Sequence, residues 1–254
     1  MKVLIDSDYI VYKCTAACES EIDFGDDVIV VTSKFSEAYR CVRRELENIA
    51  LKFGAFGDLI LFFSDSQNFR KEIDPSYKGH RQKKKPCGYR RVINKLSEEF
   101  EVIRMPKLEA DDAIGLYMTQ FPGNIMVSPD KDMKQIPGQL YNLDEVTSIT
   151  PEEGAKWHGL QLLSGDATDG YKGCPGLGMK KSLKLFEDKG YTWQTVVDAY
   201  KEKDLSEEVA LMNARLAKIL TKHDYDFEKK EPILWTPTAD YCFDGRAGSE
   251  VASN

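Results

Sequence analysis

Short apolar runs that end directly in aspartate constrain this chain more than any other feature. Val3-Leu4-Ile5 leads into Asp6 and Asp8, and Leu59 to Ser64 leads into Asp65. Ile125-Met126-Val127-Ser128-Pro129 leads into Asp130 and Asp132. Runs this short and this rich in β-branched and aromatic residues read as strands. Others follow at Val28 to Val31, Val102-Ile103 and Gln139 to Asn142, with helical periodicity between several of them. The alternation predicts an α/β fold with a mainly parallel central sheet flanked by helices. In an open parallel sheet ligands gather beyond the carboxyl ends of the strands, and that is where these aspartates fall.

The spacing predicts a long amphipathic helix over 35–53, opened by Thr32 or Ser33 and closed by Gly54. After Thr150-Pro151 the strand signal stops, and helices are expected over 151–164, 179–188, 192–200 and 207–221. The expected organisation is an α/β core over 1–150 with a basic arm at 70–95, a helical region over 151–237, and a disordered tail over 238–254. A chain of 254 residues that is 42% hydrophobic can bury a full core. No apolar run approaches the ~18 residues of a membrane helix, and Met1-Lys2 leads straight into the first strand, so no membrane partner and an intracellular location are expected. The six cysteines form no CxxC pair and no Cys/His pattern at zinc spacing.

The net charge of −7 disfavours a nucleic-acid ligand until the charges are located. Between Arg70 and Arg91 nine Lys/Arg stand against Glu72 and Asp74, a net +7 that leaves −14 for the remainder. A phosphate backbone would be drawn to this cationic arm and repelled by the body unless cations neutralised the carboxylates.

Those carboxylates form five groups. Beyond the three strand ends, Glu109, Asp111 and Asp112 follow Val102-Ile103 at a helix start, and Asp166 and Asp169 lie in Gly-Asp-Ala-Thr-Asp-Gly at the border of the helical region. Each acid has a structural alternative as a helix cap or turn residue. Converging on one edge, they could not all stay ionised without cations. Oxygen-only ligation without nearby His or Cys favours Mg²⁺ or Mn²⁺, and two such ions suit a phosphodiester. The turn containing Gly173, Gly176 and Gly178, followed by a helix with Lys180 and Lys181, offers backbone N–H groups and charge to a phosphate.

Taken together, Ile-Asp-Ser-Asp, Ser-Asp-Ser-Gln-Asn-Phe-Arg, Tyr77-Lys78-Gly79-His80-Arg81, Glu109-Ala-Asp-Asp, Ser128-Pro-Asp-Lys-Asp and Gly165-Asp-Ala-Thr-Asp-Gly resemble the flap endonuclease superfamily, most of all its phage 5′ to 3′ exonucleases. The likeness runs from about Lys2 to Pro237. It implies a PIN-like nuclease fold with a helix-three-turn-helix that grips duplex DNA, in some members with K⁺ at the turn. It implies hydrolysis of DNA from a free, frayed or flapped 5′ end, leaving 5′-phosphate and 3′-hydroxyl ends, by a monomer in the cytoplasm, the host's if a phage encodes it. RNA in RNA–DNA hybrids is a further candidate substrate.

Carried across, the resemblance makes Asp6, Asp65, Glu109, Asp111 and Asp112 ligands of a first metal cluster, and Asp130, Asp132, Asp166 and Asp169 ligands of a second. Lys78 and Arg81 match positions that steady the scissile phosphate. Arg70 matches a further phosphate contact, while Lys83, Lys84 and Lys85 add charge to the arm. Tyr77, Tyr89 and Phe69 are candidates for stacking on bases. Ser7, Lys13 and Gly170 depart from the residues usual in the family. Two rival readings remain: Leu-Ile-Asp-Ser-Asp after a strand also resembles a haloacid dehalogenase-like phosphatase, with Asp6 as nucleophile, and a non-catalytic structure-specific DNA-binding protein would need the carboxylates only as caps.

Overall fold

The computed structural model describes residues 1–81 and 84–245. The chain opens with β1 (Val3–Asp6) and α1 (Ser7–Ala17), then a hairpin of β2 (Glu19–Asp23) and β3 (Ile29–Ser33), then α2 (Phe35–Phe53) and β4 (Leu59–Phe62). It continues through α3 (Arg70–Ile73), α4 (Tyr89–Leu96), β5 (Glu101–Ile103), α5 (Ala110–Gln120) and β6 (Ile125–Val127). A 3-10 turn at Lys131–Gln135 leads to β7 (Gly138–Tyr141) and β8 (Val146–Ile149). The helices α6 (Pro151–Ser164), α7 (Met179–Lys189), α8 (Trp193–Lys201) and α9 (Glu207–Ala217) follow, and the short pair β9 (Tyr225–Asp226) and β10 (Glu231–Pro232) closes the series.

The central sheet has the order β5-β4-β1-β6-β7-β8, parallel except for β8, which runs antiparallel to β7. Side chains alternate across it as the strand period requires. Val3, Ile5, Leu59, Leu61 and Val127 pack with α1, α2 and α4, while Leu4, Ile60, Phe62 and Met126 pack with α5. Both faces are covered, so the strands read as unbroken apolar runs. A separate core built on Phe186, Trp193, Val196, Tyr200 and Ala214 holds α6 to α9 together.

Local chemistry explains the helix ends. In α2 the buried residues Ala38, Val42, Leu46 and Ile49 recur at the helical period, and Gly54 stops the helix at φ 62°. The Thr150 hydroxyl accepts from Glu153 N at 3.1 Å, and the Glu153 carboxylate accepts from Thr150 N at 2.8 Å, which fixes the start of α6.

Several expectations need correction. Val28 to Val31 does not enter the central sheet: Ile29, Val30 and Val31 belong to the isolated β2–β3 hairpin and are exposed. Thr32 and Ser33 end that strand, and Lys34 takes the helix-capping position without a side-chain hydrogen bond. α9 stops at Ala217 because residues 216–220 turn their backbone groups to partners elsewhere in the protein, and the strand signal resumes at β9 and β10. The stretch 238–245 is not a loose tail. Phe243 is fully buried against the helical core, and its N–H bonds Tyr191 O at 2.8 Å; residues beyond 245 lie outside the described ones.

Candidate active site

Five carboxylates from three stretches line one cleft of about 440 Å³. Asp6 ends β1, Asp130 and Asp132 belong to the turn after β6, and Asp166 and Asp169 sit in the loop after α6. Ser128 Oγ donates to Asp6 at 2.9 Å. Asp130 caps the 3-10 turn by accepting Asp132 N at 2.9 Å, and Asp166 accepts Thr168 N at 2.7 Å, so both acids shape their loops as well as line the cleft. A larger groove of about 550 Å³ beside Phe69, Leu211, Met212 and Leu234 contains none of these carboxylates.

A second group, Glu109, Asp111 and Asp112, crowds the start of α5, with one oxygen from each within 4.8 Å of the others. Tyr77 and Lys78 join it to the cleft. The Tyr77 hydroxyl lies 3.0 Å from Glu109 Oε2 and 2.8 Å from Asp169 Oδ2. Lys78 Nζ lies 2.5 Å from Glu109 and 3.4 Å from Asp169. Arg81 reaches Asp169 at 2.8 Å and Thr168 O at 3.1 Å. The arm thus turns two cations inward onto the acids.

Asp112 differs from its neighbours. It is fully buried, and its two oxygens accept Arg70 Nη1 at 2.6 Å, Arg70 Nη2 at 2.8 Å, Leu220 N at 3.2 Å and Glu109 N at 3.3 Å. That fills the roughly four acceptor positions of a carboxylate, so this geometry leaves Asp112 no lone pair for an ion. Asp65 also faces elsewhere: its carboxylate accepts Lys107 N at 2.9 Å and Ser66 N at 2.7 Å. Asp8 stands nearer Asp6, held by Ser64 N at 2.7 Å and the Tyr89 hydroxyl at 2.6 Å.

Arg70 is not a phosphate contact. Its side chain is 2% exposed, and all five of its N–H donors are used, on Leu216 O, Lys218 O, Glu109 and both oxygens of Asp112. Phe69, Tyr77 and Tyr89 are each buried, which removes them as stacking platforms for bases. Gly173 is likewise internal: its N–H bonds Asn213 Oδ1 at 3.0 Å, and a Cβ there would meet Gly165 N at 2.3 Å. Gly176 and Gly178 are exposed with open space around them, and Lys180 and Lys181 are exposed at the start of α7. Lys84 and Lys85 are exposed as well, with Lys85 over the Tyr89 ring at 4.6 Å; Lys83 lies outside the described residues.

The electrostatics record a shortage of cations. Burial, with Asp8 and Asp130 nearby, outweighs the Ser128 hydrogen bond and lifts Asp6 to about 7. Burial together with Asp130, Asp169 and Asp166 lifts Asp132 to about 7. Burial and the neighbouring Asp112 and Glu109 push Asp111 far up. For Glu109 burial acts upward, but Lys78 and Arg70 outweigh it and hold the group at about 2. An all-oxygen donor set that cannot ionise fully by itself fits hard divalent cations.

Gln161 and Gln135 carry no motif and escape a reading of the sequence. Gln161 Nε2 donates to Asp132 Oδ1 at 2.5 Å, and Gln135 Nε2 donates to Gln161 Oε1 at 2.7 Å. Gln135 in turn binds Ala217 O at 2.6 Å and accepts Ile219 N at 3.0 Å. The 216–220 segment is therefore gripped from one side by Arg70 and Asp112 and from the other by Gln135, which ties both carboxylate groups to one backbone strap. Helical spacing on α6 places Gln161 one turn from His158, but nothing local signals that it faces an acid.

Comparison with known proteins agrees with this architecture. The chain is 28% identical to an exodeoxyribonuclease of Enterobacteria phage T3, with 92% of each chain covered, and 27% identical to an exonuclease of Escherichia phage T7, covering 92% of this chain and 93% of that one. Among solved structures it is similar to a bacteriophage T5 flap endonuclease crystallised with DNA and metal ions, at a TM-score of 0.65 and 14% identity over 85% of this chain and 88% of that one. The fold and the strand-end acids leave no support for the phosphatase reading. Residues 2–157 match the model of the 5'-3' exonuclease N-terminal, resolvase-like domain, and the chain belongs to that family.

Proposed function

We propose that this chain is a divalent-metal-dependent 5′ to 3′ nuclease that hydrolyses DNA phosphodiester bonds at free, frayed or flapped 5′ ends, leaving a 5′-phosphate and a 3′-hydroxyl. The observation that carries the reading is the convergence of Asp6, Asp130, Asp132, Asp166 and Asp169 on one cleft, joined to Glu109 by Tyr77 and Lys78. We assign Mg²⁺ as the usual ion, Mn²⁺ as a substitute, and two ions as the working number. Asp130, Asp132, Asp166 and Asp169 would hold one; Asp6, Glu109 and Asp111 would hold the other, with Asp65 reaching it only after a side-chain rotation. Asp112 serves by fixing the start of α5. Divalent ions supply charge neutralisation and make a water easier to deprotonate.

The chain's own residues do the positioning. Lys78 and Arg81 face the negative charge that builds on the transferring phosphate, where fixed cations in a partly dry cleft act strongly. Exposed Gly176, Gly178, Lys180 and Lys181 offer backbone N–H groups and charge to the duplex, and Lys84 and Lys85 extend the positive surface. Lys181 Nζ lies 3.2 Å from Gly176 O, and K⁺ bound at the turn carbonyls would take its place. The reading extends to the RNA strand of hybrids, to a monomeric state and to the cytoplasm.

The test is a 5′-labelled duplex and a 5′-flap substrate incubated with Mg²⁺ or with chelator. Labelled short products with 3′-hydroxyl ends and a shortened strand with a 5′-phosphate, both absent in chelator, are expected. Binding in chelator without cleavage when Mg²⁺ is restored would instead indicate a non-catalytic DNA-binding protein.

A further inference from the structure

Lys131 stands between Asp130 and Asp132 in sequence, two of the cleft's acids. Its ammonium lies 2.8 Å from Asp166 Oδ2, while the Lys131 side chain is 56% exposed and that of Asp166 only 7%. Asp166 is thus a buried carboxylate with one oxygen held by Thr168 N at 2.7 Å and the other by a lysine that enters from solvent. Asp130 and Asp132 flank the same lysine in the chain and line the same cleft. Lys78 and Arg81 serve Glu109 and Asp169. Lys131 therefore places a positive charge on Asp166, between Asp130 and Asp132 in the chain.

A divalent ion bound by Asp166 and Asp132 would need the Asp166 oxygen that now accepts from Lys131. Two cations cannot share that oxygen at contact distance without repelling each other. We propose that Lys131 is an internal counter-cation seated on Asp166 at the second metal position, which the divalent ion must displace, so that this lysine raises the free metal that position needs. The proposal rests on the metal reading above. Its side chain is long and its stem reaches solvent, so the ammonium can swing out to water when displaced. The aspartates remain tolerable in the metal-free protein because the lysine returns. Metal binding at this position is thereby a swap of cations, which keeps its affinity below that of a bare carboxylate cluster.

The test measures Mn²⁺ bound to the full chain without DNA, by the paramagnetic signal of the free ion, in the unaltered protein, Lys131→Met and Lys131→Arg. Lys131→Met keeps the length of the stem and removes the charge; thermal unfolding checks that each variant is folded. The unaltered chain and Lys131→Arg should show one tighter and one weaker site. In Lys131→Met the weaker site should tighten by about two- to fivefold, and the tighter one should stay unchanged, since a partly exposed ion pair is worth at most about 1 kcal/mol. Two sites with the weaker one unchanged or weakened in Lys131→Met would overturn the role of Lys131 and leave the metal reading standing. Absence of any Mn²⁺ binding in all three proteins would overturn both.

Discussion

Arg70 and Asp112 meet in a two-pronged ion pair at 2.6 and 2.8 Å, with neither side chain appreciably exposed. A buried pair of this kind contributes little over an apolar replacement, but removal of one partner strands the other charge in the interior. Arg70→Leu should therefore cost about 3 to 5 kcal/mol in urea unfolding. Arg70→Leu combined with Asp112→Leu should cost less than the two single changes summed. A single Arg70→Leu within about 1 kcal/mol of the unaltered protein would contradict the pairing.

Metal-free stability should fall as pH rises. The folded-state values of Asp6 and Asp132, both raised by burial to about 7, exceed their ordinary value of 3.8. The folded protein therefore holds protons that the unfolded chain has released, and the stability present below about pH 4 is lost as pH climbs towards 7. Divalent metal needs the ionised form, so its affinity should climb over the same interval. Thermal unfolding with chelator and with Mg²⁺ from pH 5 to pH 8 checks both trends; the gap between the two midpoints should widen with pH.

Gln161 should matter to metal binding although it would touch no ion. Its amide holds Asp132 at 2.5 Å and is itself oriented by Gln135 at 2.7 Å. Gln161→Leu should raise the Mg²⁺ concentration for half-maximal cleavage by roughly ten- to a hundredfold, as loss of a hydrogen bond behind a metal ligand does. Direct Mn²⁺ binding should weaken in parallel. An unchanged Mg²⁺ requirement would reduce Gln161 to packing.

Lys78 and the pair Lys180 and Lys181 should fail differently. Lys78→Ala removes a cation facing the carboxylates and should slow single-turnover cleavage by about a hundred- to a thousandfold with little change in DNA affinity. Lys180→Ala and Lys181→Ala should leave single-turnover cleavage of bound DNA nearly intact. Each should lower the salt dependence of binding by about one phosphate contact. Reversed outcomes would exchange their roles.

The strand-end aspartates were legible because β1, β4 and β6 are covered on both faces, which writes them as apolar runs that stop at the first acid. Val28 to Val31 carries equal strand propensity, but propensity is blind to which sheet a strand joins, and β3 pairs only with β2. Val146–Ile149 carries no clear strand signal because only one edge of β8 is paired and its side chains are mostly exposed. Arg70 looked like part of a phosphate-binding arm from its basic neighbours. Its partners, Asp112, Leu216 and Lys218, are distant in sequence, so burial reversed its role without any local sign. Asp130 and Asp166 show the opposite case: cap and cleft residue are alternatives in the sequence, and each side chain is both.

The central claim, that acids from separate stretches act together by holding divalent ions, is tested most directly by Asp130→Asn. The change keeps the size of the side chain and an oxygen for Asp132 N while removing one charge from the cleft. With Mg²⁺ and a 5′-labelled flap substrate, cleavage should be abolished while binding of the same DNA persists. Undiminished turnover by Asp130→Asn would remove this residue from the site and contradict the account.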